Sequence, residues 1–330
     1  MTTYKEIFGK YVKNYSSDPT ADIEGQIWYN TTSGTFKTEL GVLDAWASGG
    51  NLANARRLLG SANAGTQNAA AGFGGNGSSP YMSATEEYDG TSWGPGGNLG
   101  TARARLAGCG IQTSALAFGG FVGVAGVVNT EEYDGSTWTT GGNLGTARQI
   151  CAGCGTQTAG LAIGNANSPN TATEEYNGSA WAGGGSLATG RFNLGGVGTQ
   201  TAGLGFGGYT GPPISTAATN ATEEYDGSAW TAGGNLGTAR YGISGCGTQT
   251  AGLGFGGSLT GNPTNQAVTE KYDGTSWTTS VANLATARQV LGGAGTQTAG
   301  LAFGGLTTAN VAVTEEFTGG ALTIKTITTS

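Results

Sequence analysis

Gly295-Thr-Gln-Thr-Ala-Gly-Leu-Ala-Phe-Gly-Gly305 decides the fold, because recognisable copies of this stretch occur six times in the 330-residue chain. Each copy follows a Leu-x-x-x-Arg element and precedes a Glu-Glu-Tyr-Asp-Gly element and a Trp, with some substitutions. Leu322 takes the place of the Trp after the sixth copy. The tryptophans lie at Trp46, Trp93, Trp138, Trp181, Trp230 and Trp277, separated by 47, 45, 43, 49 and 47 residues. A repeat of this length indicates a structure built from equal units.

Four short strands are predicted in each unit. In the third unit these are the Gly-rich Arg148–Gly155, Thr156–Ile163, Thr173–Tyr176, and an outer strand that starts over Ser179–Trp181. Asn177-Gly178, which is Asp-Gly in most units, is typical of a tight hairpin. Four strands per repeat of about 45 residues is the period of a propeller blade, and a helical apolar period of 3.6 residues is absent. We therefore predict an all-β protein with a six-bladed β-propeller.

The repeat resembles the kelch motif, in which a Gly-Gly pair ends the second strand and is followed by Tyr, Trp and the Arg of the next blade. The pairs are Gly74-Gly75, Gly119-Gly120, Gly207-Gly208, Gly256-Gly257 and Gly304-Gly305, and the third unit departs with Gly164-Asn165. Tyr88 and Trp93 are closer together than in kelch repeats, so we expect a tighter turn. The resemblance covers residues 46–330 and implies a kelch-like fold, but such propellers serve many functions.

Composition excludes several classes of function. The chain has a formal net charge of -7 and no His, and no segment approaches the roughly 20 apolar residues of a membrane helix. The first residues lack the apolar core of a secretory signal. An acidic chain without clusters of Lys and Arg is also unsuited to nucleic acid. We expect no membrane insertion, no signal peptide and no nucleic-acid partner.

Residues 1–45 differ from the repeats. They contain four of the six lysines and a predicted hairpin, Gln26–Asn30 and Thr35–Leu40, around Thr31-Thr-Ser-Gly34. They lack the repeat Arg and the Gly-Gly pair, so we predict a docking extension and not a seventh blade. Two ways of closing the ring stay open, since either the strand at Trp46 or Ala321–Thr329 completes the last blade.

A closer resemblance concerns the whole chain. Asp18-Pro19, Glu24-Gly-Gln-Ile-Trp-Tyr-Asn30 and Gly34-Thr-Phe-Lys37 are similar to the N-terminal segment of kelch-like structural proteins of marine bacteriophages. Those proteins also carry the same repeat and end like Thr314–Ser330. The resemblance implies a virion protein assembled in the host cytoplasm, usually described as a tail fibre or tail-associated protein. It also implies that residues 1–45 bind other virion proteins.

Among the repeated features, the Glu-Glu pairs are the most suggestive of a catalytic site. Neighbouring side chains on a strand point to opposite faces, so the two carboxylates of a pair do not converge for acid–base catalysis. A buried carboxylate needs a partner, and one Arg per unit is available. We predict a ring of six ion pairs that ties the blades together. It joins Arg56, Arg103, Arg148, Arg191, Arg240 and Arg288 to Glu86, Glu131, Glu174, Glu223, Glu270 and Glu315, respectively.

No catalytic, metal or cofactor site is predicted. Cys109, Cys154 and Cys246 share one repeat position with Ala and Val, which indicates a small buried site. Cys151 and Cys154 have metal-like spacing, but no His or second Cys pair accompanies them. Without His, the copper site of galactose-oxidase propellers and Ser–His or Cys–His catalysis are excluded.

The six connections between the second and third strands vary in length and sequence, and equivalent loops lie on one face of a propeller. Variable loops on a rigid scaffold form many binding faces, although neutral drift explains the variation equally well. The predicted binding residues are Tyr81, Phe121, Tyr209, Pro212, Leu259 and Asn262.

These observations favour a non-enzymatic phage virion protein that binds a host-surface glycan or protein, or another virion protein. Two alternatives stay open. One is a purely architectural decoration of the tail or capsid, and the other is a glycan-degrading enzyme with carboxylates in the propeller channel. The sequence does not specify the ligand, the copy number, the oligomeric state or the exposed face.

Overall fold

The computed structural model consists of short strands, and it describes residues 12–19, 26–41, 43–166, 171–210, 217–260, 264–320 and 322–327. It contains no helix within those ranges, and in the same ranges no helix is long and apolar enough to cross a membrane. The chain divides into two compact units, one formed by Met1–Asp44 with Gly319–Ser330 and the other by Ala45–Thr318.

The second unit contains six four-stranded antiparallel sheets, which we call blades 1 to 6. With strands numbered in chain order over both units, blade 1 consists of β5 (Gly60–Ser61), β6 (Ala70–Phe73), β7 (Thr85–Tyr88) and β8 (Trp93–Pro95). Blade 2 consists of β9 (Ala107–Ile111), β10 (Ser114–Phe118), β11 (Thr130–Tyr133) and β12 (Trp138–Thr140). Blade 3 consists of β13 (Ala152–Thr156), β14 (Ala159–Ile163), β15 (Thr173–Tyr176) and β16 (Trp181–Gly183).

The other three blades repeat this order. Blade 4 consists of β18 (Gly195–Thr199), β19 (Ala202–Phe206), β21 (Thr222–Tyr225) and β22 (Trp230–Ala232). Blade 5 consists of β23 (Ser244–Thr248), β24 (Ala251–Phe255), β25 (Thr269–Tyr272) and β26 (Trp277–Thr279). Blade 6 consists of β27 (Gly292–Gly295), β28 (Ala299–Phe303), β29 (Thr314–Thr318) and β4 (Ala45–Ser48). A separate two-stranded ribbon joins β17 (Arg191–Phe192) to β20 (Tyr209–Thr210).

The blades form a closed ring. Their innermost strands contact one another in the cyclic order β5, β9, β13, β18, β23, β27 and back to β5. The ring closes through β4, which pairs with β29 so that Trp46 lies opposite Phe317. This arrangement confirms the predicted six-bladed all-β propeller. It also decides between the two closures, because Trp46 takes the place in blade 6 that a Trp takes in every other blade.

The first unit is a four-stranded sheet in the order β1 (Lys13–Tyr15), β2 (Ile27–Asn30), β3 (Thr35–Gly41) and β30 (Leu322–Thr326). Strands β2 and β3 form the predicted hairpin. The C-terminal strand β30 pairs with β3, although all of residues 46–330 were predicted to belong to the propeller. The difference follows from ring closure, because β4 already occupies the free edge of β29.

Some strand boundaries within a blade were predicted correctly and others were not. Thr173–Tyr176 is a strand as predicted, but the innermost strand of blade 3 begins at Ala152 and not at Arg148. Arg148–Cys151 instead belongs to the connection from blade 2, where Ile150 has a φ of 55°. The β15–β16 hairpin is closed by a loop in which Asn177 Oδ1 accepts hydrogen bonds from the amides of Ser179 and Ala180.

Candidate binding face

Each repeat Arg is fully buried and paired with the predicted Glu. The distances are 2.5 Å for Arg103–Glu131, 2.8 Å for Arg148–Glu174, 2.6 Å for Arg191–Glu223 and 2.7 Å for Arg240–Glu270, and Arg56–Glu86 and Arg288–Glu315 are also in contact. Burial lowers the pKa of Arg191, for example, and the Glu223 carboxylate opposes that shift. Attraction within each pair offsets the free-energy cost of removing both ions from water, whereas an unpaired buried charge has no such compensation.

These pairs do not link one blade to another, contrary to the prediction. Arg148 lies on the connection that leads into blade 3, and Glu174 is on the third strand of that same blade. Arg148 Nη1 also donates to the carbonyls of Gly164 and Ala172, at 2.8 and 2.7 Å. Glu174 Oε2 accepts a 2.6 Å bond from the Gly145 amide. The pair therefore fixes the inter-blade connection and the base of the 2–3 loop, meaning the loop between a blade's second and third strands.

Two other side-chain bonds do link neighbouring blades. The Tyr133 hydroxyl of blade 2 donates to Glu87 of blade 1 at 2.6 Å, and Trp138 Nε1 donates to Thr85 Oγ1 at 2.9 Å. The Tyr–Glu bond recurs for Tyr88–Glu316, Tyr176–Glu132, Tyr225–Glu175 and Tyr272–Glu224. The Trp–Thr bond recurs for Trp46–Thr269, Trp93–Thr314, Trp181–Thr130, Trp230–Thr173 and Trp277–Thr222. The second Glu of each pair thus has a scaffold function.

The repeated Gln makes a third inter-blade link that sequence reasoning missed. Gln112 Nε2 donates to the carbonyls of Ala70 and Tyr88 in the preceding blade, at 3.2 and 2.8 Å. Six glutamines make this double contact: Gln67, Gln112, Gln157, Gln200, Gln249 and Gln297. The Gly-Thr-Gln-Thr element therefore recurs because its Gln satisfies two carbonyls of the neighbouring blade.

A ring of backbone hydrogen bonds surrounds the channel at the inter-blade connections. The amide of Arg105 donates to the Leu58 carbonyl at 2.8 Å, and the amide of Ile150 donates to the Arg105 carbonyl at 2.9 Å. Equivalent hydrogen bonds join the remaining connections until the ring closes at Leu58. We call this ring the collar, and its members are Leu58, Arg105, Ile150, Asn193, Gly242 and Val290. All six have positive φ, from 50° to 62°. The strain of five non-glycine residues in this region is offset by six bonds that close a cycle.

The first blade carries an insertion that reaches across the channel. Phe73 follows Arg56 by seventeen positions, whereas Phe118 follows Arg103 by fifteen. The extra residues include Asn63, whose Nδ2 donates to the carbonyls of Gly153 in blade 3 at 2.7 Å and Gly196 in blade 4 at 3.1 Å. The remaining cavity has a volume of about 100 Å³, and its lining among the described residues contains no carboxylate.

The 2–3 loops and the inter-blade connections lie at the same end of the antiparallel strands, and we call this end the loop face. Isolated bridges join them, such as Ala104 with Phe121 and Tyr241 with Ser258. At the opposite end of the strands the chain turns through the hairpins between the third and fourth strands of each blade, where hydrogen bonds from backbone amides lower the pKa of the aspartates. These hairpin aspartates are Asp89, Asp134, Asp226 and Asp273.

Two groups of aromatic side chains lie on the loop face. Tyr81 and Phe121 are neighbours with ring centroids 6.1 Å apart, and the Arg105 guanidinium lies 4.8 Å from the Phe121 centroid. In blades 4 and 5, across the ring, Tyr209 stacks on Tyr241 at 4.0 Å. Phe192 extends this second group at 5.5 Å from Tyr209. Burial, followed by the hydrogen bond with Tyr241, raises the pKa of Tyr209.

The predicted binding residues are placed as follows. Tyr81, Phe121 and Tyr209 are half-buried members of the two groups, and Leu259 is half-buried on the neighbouring loop of blade 5. Pro212 and Asn262 lie outside the described residues. Sequence reasoning missed Arg105, Phe192 and Tyr241, which occupy the two positions after the repeat Arg. The second of these positions differs in every unit, and the first is shared only by Gln149 and Gln289, so the comparison of repeats that identified the loops also identifies these positions.

The cysteines are free and buried. Burial raises the pKa of Cys151 to about 11 and that of Cys154 to about 12, so both thiols stay protonated at neutral pH. Cys109 Sγ donates to the Thr156 carbonyl at 3.4 Å. No group of three or more Cys, Asp or Glu in the described ranges could hold a metal ion.

No protein-family model and no curated protein matches this chain. Among solved structures, one titled "Structure of YjhT" is similar with a TM-score of 0.67 and 12% sequence identity. The match covers 83% of this chain and 99% of that one. At this identity the similarity concerns the fold alone, and it supports the β-propeller.

Proposed function

We propose that the chain is a non-enzymatic virion protein of a bacteriophage, tail-associated or part of a tail fibre, whose loop face binds a partner on the host surface or on the virion. The virion location rests on the resemblance of residues 18–37 and of the repeats to phage structural proteins. The binding role rests on one observation. Residues common to the units form internal bonds, whereas the aromatic and cationic side chains that differ between units gather on the loop face.

The carboxylates of the propeller support a role without catalysis. The first Glu of each pair is held by an Arg, and five of the six second positions carry a Glu bound to a Tyr of the next blade. A general acid or base must be able to reach a substrate proton. The channel cavity is small and is crossed by Asn63.

Location is tested by labelling intact phage particles. An antibody against the purified chain is applied to virions from a lysate that contains this sequence, and the label is located by electron microscopy. Label at the tail is the expected result. Label spread in many copies over the capsid supports the architectural alternative, and the absence of label from particles contradicts the proposal.

Binding is tested with the purified full chain on host cells. Tyr209→Ala with Tyr241→Ala removes the aromatic group of blades 4 and 5, and we expect cell binding to fall at least about tenfold. Asp89→Asn, in a hairpin of the opposite face, is the control. Equal binding by both variants contradicts a role for the loop face. Glycan cleavage by the purified chain contradicts the non-enzymatic role.

A further inference from the structure

Arg105 is the collar residue whose side chain the scaffold does not need. The collar bond uses only its backbone, and the other five blades make that bond with Leu, Ile, Asn, Gly or Val. Its guanidinium is also outside the set of six buried ion pairs. Because equivalent positions work without charge, the cation at this one position needs a separate explanation.

The Arg105 guanidinium is held in position before any ligand arrives. Its Nη1 donates to Gln149 Oε1 at 2.9 Å, and its Cζ lies over the Phe121 ring, 4.8 Å from the centroid. The side chain is half-buried, and no carboxylate of the described residues is within ion-pair distance of it. A guanidinium stacked on an aromatic ring retains planar donors that match a carboxylate. Such an arrangement is typical of a binding residue.

Charge on the loop face favours an anionic ligand. Among the described residues, every Glu near this face is paired with a repeat Arg, so the charges left over there are those of Arg57 and Arg105. The aspartates of the propeller are in the hairpins of the opposite face. In a chain with a net charge of -7, this is a local positive region.

The other groups on the face favour a carbohydrate over a protein. The described part of the 2–3 loops exposes few large aliphatic side chains, Val122 and Val124, whereas the core of a protein interface is apolar. The loops are otherwise rich in hydroxyl and amide side chains, such as those of Ser79 and Asn310. Half-buried aromatic rings beside such groups suit the C–H surfaces and hydroxyls of a sugar.

We propose that the loop face binds a carbohydrate that carries carboxylate groups, and that Arg105 forms the ion pair with one of these groups. Phe121 and Gln149 orient the guanidinium, and the aromatic groups on opposite sides of the collar contact sugar rings along the chain. This inference rests on the proposed function, since it names the ligand of the same face.

The test uses the purified full chain on an array of neutral, sulfated and uronic-acid glycans. The wild type is expected to bind uronic-acid glycans, and Arg105→Leu, which copies blade 1, is expected to weaken that binding at least about tenfold. Arg105→Lys is expected to fall between them, because Lys keeps the charge but lacks the planar donors. Val290→Ala changes an uncharged collar residue and is the matched control.

On the array, the inference is overturned if the wild type does not bind uronic-acid glycans, if Arg105→Leu binds them equally well, or if neutral glycans are bound equally well. If the Tyr209 and Tyr241 variant loses cell binding while Arg105→Leu retains it, the loop face is a binding face but its ligand is not anionic. If neither variant changes cell binding, the proposed function itself fails. Sulfated glycans bound in preference to uronic acids would also reject the carboxylate.

Discussion

At the scale of single residues, the repeated charges are structural because each has a partner inside the ring. Arg148 shows the pattern, with two bonds to Glu174 and two to carbonyls, and a side chain that is fully buried. A buried ion pair is weak evidence of net stability, but the loss of one member leaves an uncompensated charge. The net contribution of the intact pair and the cost of losing one member can be measured separately by mutation.

Arg148→Met is expected to destabilise the propeller by about 3–5 kcal/mol, because Glu174 loses its cation and the carbonyls of Gly164 and Ala172 lose a donor. The measurement is the free energy of unfolding in urea. Arg148→Met with Glu174→Leu removes both charges and should cost less than the single variant. An unchanged midpoint for Arg148→Met would show that the pair has no structural role.

The junction between blades 5 and 6 provides a second test. Here Lys271 stands where the other blades have the second Glu, and Phe317 stands where they have Tyr. Lys271→Glu and Phe317→Tyr together should recreate the inter-blade bond. In a double-mutant cycle we expect a favourable coupling of about 1–3 kcal/mol. Phe317→Tyr alone should destabilise, since it buries a hydroxyl without its carboxylate. Additive effects of the two changes would contradict the assignment of the bond.

At the scale of elements, local sequence predicts a strand well where its own residues decide its conformation. Thr173–Tyr176 was predicted correctly because it alternates and ends at an Asn-Gly turn. The start of β13 was not, because Ile150 adopts a positive φ that a β-branched residue avoids unless other contacts impose it. Those contacts are the collar hydrogen bonds with Arg105 and Asn193, which lie on the connections leading into blades 2 and 4. They come from residues distant in sequence, which a single repeat does not reveal.

The same distinction applies to the candidate site. Disagreement between repeats identified Tyr81, Phe121 and Tyr209, and the structure places each of them in an aromatic group. Sequence reasoning could not show that Arg105 lies over Phe121, because the two residues meet through a bridge between a connection and a loop. Only the structure shows that these two segments, which are distant in sequence, pair with each other.

The inter-blade Tyr–Glu bonds predict a loss of stability at high pH. Burial, followed by the bond to Glu87, raises the pKa of Tyr133 from 10.0 to about 12, and Tyr88, Tyr176, Tyr225 and Tyr272 are raised to the same value. A pKa raised by folding means that the neutral hydroxyl stabilises the fold fully below pH 10. That contribution is lost as the pH rises through about 12.

We therefore expect the free energy of unfolding to fall steeply between about pH 10 and pH 12. It should be measured by urea denaturation at several pH values, with tyrosinate absorbance followed in parallel. Tyr133→Phe should lower stability at pH 8 and reduce the slope above pH 10, because one titrating group is removed. Tyrosines that ionise near pH 10 in the folded protein would contradict the raised pKa.

At the scale of the whole molecule, closure of the ring depends on β4, which comes before all the other propeller strands in the chain but completes the last blade. Strand β4 is the outer strand of blade 6, and it is held by pairing with β29 and by the Trp46 side chain. In the other blades the corresponding strand follows its neighbour through a short hairpin. No covalent hairpin joins β4 to β29, and the strands that adjoin them in sequence, β3 and β30, are held together only by noncovalent pairing. Blade 6 can therefore open without the restraint of a short covalent loop that every other blade has.

Trp46→Ala should therefore open the ring locally, while the matched Trp138→Ala should not. Both tryptophans donate to a Thr of the preceding blade at 2.9 Å and pack on two aromatic rings. The side-chain losses are thus equivalent, at about 3–5 kcal/mol each. In native-state hydrogen exchange, Trp46→Ala should selectively reduce protection of the amides in β4 and β29. Trp138→Ala should lower protection without separating β12 from β11, because their hairpin keeps the strands together. Equal patterns of protection in the two variants would show that closure through β4 is no weaker than any other blade.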